Sequence, residues 1–145
     1  MLEVGQVLLL KIQYDNQGTK AEIAHPCLIV KIDEEMQLIE IVQFDSLEGK
    51  EYKATFRATK VVLCTDPAET VIDKDSFVNL DTKYQIENFD GLEKYRRQSD
   101  KLSKEKLNEV ISKYEAYHLM NKIFENKVVY MSKSDIFEMN DERGD

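Results

Sequence analysis

The chain has 145 residues, 42% of them hydrophobic, with two cysteines and a net charge of −8. That is enough apolar surface for one self-supporting domain, and no apolar run approaches the ~20 residues that a membrane helix needs. The acidity excludes a design for tight non-specific nucleic-acid binding, since phosphate neutralisation requires Lys and Arg.

Val4 to Ile12 alternates loosely and predicts a first strand. Tyr14-Asp15-Asn16-Gln17-Gly18 is a turn, because Asn, Asp and Gly tolerate its dihedrals. Ile23 to Ile32 predicts a second strand, whose Cys27-Leu28-Ile29-Val30 run is apolar on both faces and so central. Pro26 cannot donate to a ladder, which places it at a bulge or at the strand's irregular start. Asp33-Glu34-Glu35 is a charged turn, and Leu38 to Val42 a third strand ending in Gln43-Phe44-Asp45-Ser46. Tyr52, Ala54 and Phe56 alternate as in a half-exposed strand. Val61 to Cys64 is another buried run, broken by Asp66-Pro67, and Ser76 to Leu80 a strand closing the set. Short strands separated by turns predict a small barrel or sandwich.

Gly91 to Arg97 fits a single helical turn. Ser103 then suits an N-cap with Leu102 as a staple residue. Leu107, Val110, Ile111, Tyr114 and His118 recur at helical spacing, so a helix with one apolar stripe is predicted to cross the sheet and run to about Phe124. Beyond the break at Asn126-Lys127, Val128 to Met131 suits a further strand and Ile136-Phe137 a last anchor, before a polar, frayed end from Asn140 to Asp145. The expected division is a domain over residues 1–125 and an extension of unassigned role over 126–145.

Met1-Leu2-Glu3-Val4 has neither the basic start nor the long apolar centre of a secretory signal. A cytoplasmic location is expected, with Cys27 and Cys64 as two buried reduced thiols in preference to a bridge. Charge is uneven. Residues 91–127 hold nine basic and six acidic side chains and net +3, which leaves −11 for the remainder. Lys94, Arg96, Arg97 and Lys101 form a solvated face, or else an RNA-guiding rim or a patch for an acidic partner. Gly-rich phosphate loops, His-Glu-x-x-His and paired Cys-x-x-Cys motifs are absent from the sequence. No metal or other cofactor is expected.

One resemblance is specific in order and spacing. Gly5-Gln6-Val7, Ala24-His25-Pro26-Cys27-Leu28-Ile29-Val30, Lys74 to Asp81, Tyr84-Gln85-Ile86-Glu87 and the helix opening at Leu102-Ser103 follow one another as in the PemK/MazF-like toxin endoribonucleases. The similarity covers roughly residues 4 to 118. It implies an α+β, mostly-β fold: a small SH3-like antiparallel barrel with a C-terminal helix. It also implies metal-independent cleavage of single-stranded RNA, a homodimer, and an antitoxin partner that blocks the RNA face.

Such cleavage needs a group to take the 2′-hydroxyl proton, another to protonate the leaving 5′-oxygen, and cationic or hydrogen-bonding help for the phosphorane. Carried over position by position, His25 stands where the family has Arg before Pro. Ser46 falls at the place of a Thr, and Asp81 at a late acidic position. Tyr84 takes the place of a second Arg. The resemblance therefore nominates His25, Ser46 and Asp81 for catalysis, with Lys20, Lys83 and Tyr84 as substrate contacts. His can give or take a proton near neutral pH, which Arg does not readily do, but it lacks the bidentate grip of Arg on phosphate. The same residues have plainer uses: a backbone-bonded His beside a proline, and turn residues at Ser46 and Asp81. The competing function is a non-catalytic interaction module or regulator with the same fold. Gathering of His25, Ser46 and Asp81 in one groove beside Lys or Arg would favour the ribonuclease.

Overall fold

The computed structural model describes residues 1–50, 60–63, 72 and 74–140, side chains at 98–100 excepted. The elements are β1 (Gln6–Leu10), β2 (His25–Asp33), β3 (Leu38–Ser46), β4 (Lys60–Leu63), β5 (Ser76–Asn79), β6 (Lys83–Glu87), β7 (Arg96–Lys101), α1 (Lys104–Met120), β8 (Val128–Met131) and α2 (Lys133–Asn140). The class is α+β and mostly β. The strand expected through Tyr52, Ala54 and Phe56, the Asp66-Pro67 break, Cys64 and the tail beyond Asn140 lie outside the described residues.

β3 organises the sheet. One edge pairs with β2 from Leu38 to Gln43. The other edge pairs with β6 over Leu38–Ile41 and with β5 over Phe44–Ser46. The ladder therefore forks near Val42 and Gln43. From the fork, β5 leads to β4, and β6 leads to β8 in a parallel pair; on the far side β2 leads to β1 and β7. Among the described strands no pairing joins β4, β7 and β8, so the sheet is open and the expected closed barrel is not formed. Chemistry at the ends agrees with this. β7 begins with Arg96 and Arg97, charged residues of the kind that blunt a sheet edge. β4, expected to be central, pairs only with β5 among the described residues and leaves Val62 39% exposed.

Side chains alternate across the strands and build a core on each face. Cys27, Ile29, Ile39 and Ile41 join one cluster with Leu8, Leu10, Ile86 and Leu92. Leu28, Val30, Val42 and Phe44 join the other with Val7, Val61 and Val78. β2 and β3 are thus buried on both sides, as their apolar runs require. Pro26 sits at the second residue of β2, opposite Leu9. Cys27 is fully buried as a free thiol, and burial pushes its pKa up to about 12.

α1 covers the second cluster. Val110 and Tyr114 are buried and Leu107 and Ile111 pack beside them, which is the stripe predicted from spacing. Gly5 allows the close approach. Its φ is +98°, and a Cβ there would lie 2.8 Å from Leu107 Cδ2. The Tyr114 hydroxyl donates to Glu40 Oε1 at 2.7 Å, giving a partner to a β3 carboxylate that is only 8% exposed. Burial first and the Glu40 carboxylate second hold the Tyr114 phenol well above its ordinary pKa. The helix ends at Met120, short of the predicted Phe124. Asn121 turns extended there and donates from Nδ2 to the Tyr117 carbonyl at 3.1 Å, while Leu119, Met120 and Phe124 find no core to cover.

Residues 127–140 belong to the same body. β8 places Val129 and Met131 in the first cluster, and α2 adds Ile136 and Met139. Ser132 and Asp135 exchange hydrogen bonds at the start of α2, Ser132 N–H to Asp135 Oδ2 at 2.9 Å and Asp135 N–H to Ser132 Oγ at 3.2 Å. Asn140, expected to be frayed, is clamped: it accepts from the Lys11 amide at 2.7 Å and donates to the Lys11 carbonyl at 3.0 Å.

Candidate functional site

The start of β2 and the end of β3 meet beside β5, and a cavity of about 390 Å³ opens there. His25 and Pro26 line it from β2, Asp45 and Ser46 from β3, and Arg97 from β7; Lys50 and Lys74 add two more cations. Leu9, Ile23, Phe44 and Ile72 supply apolar wall. Two of the three nominated catalytic residues, His25 and Ser46, are therefore together, with three cationic side chains and one carboxylate. Lys50 Nζ is 2.9 Å from Asp45 Oδ1, a partly exposed pair of modest strength in water. Ser46 Oγ accepts from the Glu48 amide at 3.2 Å, a turn contact that leaves its hydroxyl proton available to a ligand. No protein-family model, curated protein or solved structure matches this chain.

Asp81 lies elsewhere. It lines a second cavity of about 490 Å³ with Tyr14, Gln43, Asp45, Lys60, Phe77, Asn79, Thr82, Tyr84 and Lys127. Strand alternation explains the separation. Gln43 on β3 and Phe77 and Asn79 on β5 face this cavity, whereas Phe44, Ser46 and Ser76 face the other. Asp45, at the end of the pairing, reaches both. Asp81 Oδ2 takes the Lys127 ammonium at 2.6 Å and Oδ1 the Thr82 hydroxyl at 3.1 Å. Burial alone would raise the Asp81 pKa, but Lys127, Thr82 and the charge of Lys60 outweigh it, and the carboxyl sits below its ordinary value. A carboxylate so held is a weak proton acceptor.

The expected substrate contacts scatter. Tyr84 is in the Asp81 cavity, mostly buried, with its hydroxyl donating to the Tyr14 carbonyl at 3.3 Å. Lys20 lines a third cavity with Lys11, Glu22 and Glu138. Lys83 lines none of these three. Sequence reasoning set Asp45 beside Ser46 but gave no place to Lys50 or Lys74; only the fork in β3 brings them to His25. Among the described residues no three His, Cys, Asp or Glu side chains gather as metal ligands, and no helix is long and apolar enough to cross a membrane.

His118 stays out of both cavities. Its Nε2–H donates to the Leu80 carbonyl at 2.8 Å and its ring lies 4.1 Å from that of Tyr114. Burial lowers its pKa below the ordinary 6.5, ahead of the opposing Leu80 contact and Glu40 charge. The folded state thus prefers the neutral ring. Its contribution is complete above about pH 6.5, where the unfolded ring is also neutral, and is lost as pH falls from there towards the lowered folded value. Urea midpoints should drop more steeply from pH 7.5 to 5.5 in the wild type than in His118→Gln. Parallel slopes would remove His118 from the account. The Asp81 carboxylate should act in a separate window, below its ordinary 3.8.

Proposed function

We propose that this chain is a PemK/MazF-like endoribonuclease that cleaves single-stranded RNA without metal, at the cavity between β2 and β3. The observation that carries the reading is the convergence there of His25, Ser46, Asp45 and three cations in one cavity. His25 donates the proton to the leaving 5′-oxygen; Lys50 exchanges Asp45 for the incoming phosphate, and the carboxylate so released accepts the proton of the attacking 2′-hydroxyl in place of Asp81. Lys50, Lys74 and Arg97 stabilise the phosphorane charge. Local positive charge in an acidic chain suits brief capture of one phosphodiester over tight RNA binding. An SH3-like relation of the sheet, a two-fold homodimer and an antitoxin that covers this face belong to the same reading.

One observation favours the alternative, a non-catalytic interaction module. The acid at the family position, Asp81, is tied to Lys127 on the other side of the β3–β5 ribbon. The two are separated by incubating the purified chain with mixed-sequence single-stranded RNA in EDTA from pH 5 to 9. The ribonuclease yields discrete fragments ending in 2′,3′-cyclic phosphate, as attack by the 2′-hydroxyl demands. Intact RNA across that range would favour the interaction module.

A further inference from the structure

Residues 119–126, the end of α1 and the loop after it, leave and return to one turn of the sheet. His118 holds the Leu80 carbonyl at 2.8 Å before them and Lys127 holds Asp81 at 2.6 Å after them, so both ends are pinned between β5 and β6. The backbone between is bonded too. Lys127 N–H donates to the Phe124 carbonyl at 2.8 Å. Asn16 donates from its amide to the Asn126 carbonyl at 3.2 Å and from Nδ2 to the Glu125 carbonyl at 2.8 Å. A segment so held presents side chains from a fixed backbone, and the large ones are apolar: Leu119, Met120 and Phe124 are 85%, 82% and 70% exposed. β8 begins where it ends and adds Val128, paired with Lys83 beside the same turn, and Tyr130. Five of the ten large apolar side chains exposed among the described residues thus fall within residues 119–130. Scattered exposed apolar residues are ordinary, but a cluster of them marks a contact surface.

We propose that this surface docks a second copy of the chain about a two-fold axis beside Phe124. A two-fold interface is self-complementary, so each charge in it must meet its opposite from the same patch. Lys122 and Glu125 meet that condition: they flank Phe124, both exposed and of opposite sign. About an axis at Phe124, Lys122 of each copy meets Glu125 of the other, at the rim of an apolar centre. Charge also selects the partner. A net charge of −8 keeps copies apart in general, so contact between them belongs where the surface is locally neutral and apolar. A nucleic acid or a strongly basic protein finds no excess of charge here to bind. The surface lies beyond the residues that resemble the ribonucleases and shares none with the His25 cavity, so it does not rest on the cleavage reading.

Sedimentation of the full chain over a concentration series reads the result. The wild type should reach twice the mass of one chain at micromolar concentration. Phe124→Asp should raise the dimer dissociation constant by about a hundred-fold or more, since both copies lose an anchor. Phe124 belongs to neither core cluster, so circular dichroism should show an unchanged fold. Lys122→Glu and Glu125→Lys should each weaken the pair by roughly ten-fold, and the double reversal should restore it, which a defect in folding would not do. Met36→Glu, at an exposed apolar position in the β2–β3 turn, should leave the dimer intact. A monomer throughout, a dimer unmoved by Phe124→Asp, or a double reversal no better than either single one would overturn the inference. So would a monomeric wild type that co-sediments with phosphatidylcholine–phosphatidylserine vesicles and loses this with Phe124→Asp, which would assign the surface to lipid. A wild-type dimer that leaves RNA intact would sustain this interface and sink the ribonuclease reading alone.

Discussion

His25→Ala should lower RNA cleavage by about two to four powers of ten, the usual scale for losing a positioned acid or base. The side chain stands at the first residue of β2, half-buried and paired in register with Leu10, so its removal leaves both core clusters intact. Loss of activity would then report chemistry and not unfolding, which thermal melts of both proteins would verify. His25→Arg separates two roles for this position. If His25 supplies charge to the phosphate, Arg retains or raises activity and flattens the pH profile. If it supplies the proton, Arg fails, because a guanidinium does not give its proton up in proteins. The proposed mechanism requires the second outcome. Retained cleavage in His25→Ala would remove the residue from the reaction.

Deleting residues 126–145 should prevent folding. The cut removes β8 and α2 and strips Val129, Met131, Ile136 and Met139 from the first core cluster. Burying a side chain of this kind contributes about 1.5–3 kcal/mol. Four of them approach the whole net stability of a domain, on the order of 5–15 kcal/mol. The cut also opens the β6 edge and releases the Lys11 backbone from Asn140. Circular dichroism and proteolysis of residues 1–125 should report an unfolded or aggregating chain. A cooperative melt near that of the full protein would show that the segment is an independent extension.

Much of the scaffold was legible because it follows from burial on both faces. Cys27–Val30 and Leu38–Val42 are continuous apolar runs, and such runs sit at a sheet's centre. The stripe of α1 was equally plain from its spacing. β6 was missed although Lys83-Tyr84-Gln85-Ile86-Glu87 alternates cleanly, with Tyr84 and Ile86 buried. β7 carries no such signal, since Arg96-Arg97 and Lys101 form a polar edge that only pairing with β1 makes a strand. The forking of β3 is also invisible to local pattern. It depends on which partners compete for one edge, and it decides that Ser46 joins His25 while Asp81 does not.

The central claim is that a phosphodiester sits between the start of β2 and the end of β3. Its most direct test is an amide-shift titration of the full chain with a 2′-O-methyl single-stranded oligonucleotide, which binds but cannot be cleaved. The account predicts shifts concentrated at His25, Asp45, Ser46, Lys74 and Arg97, weakening as salt is raised. Shifts spread over α1 or the Lys20 cavity with these five residues unmoved, or no binding at low salt, would contradict it.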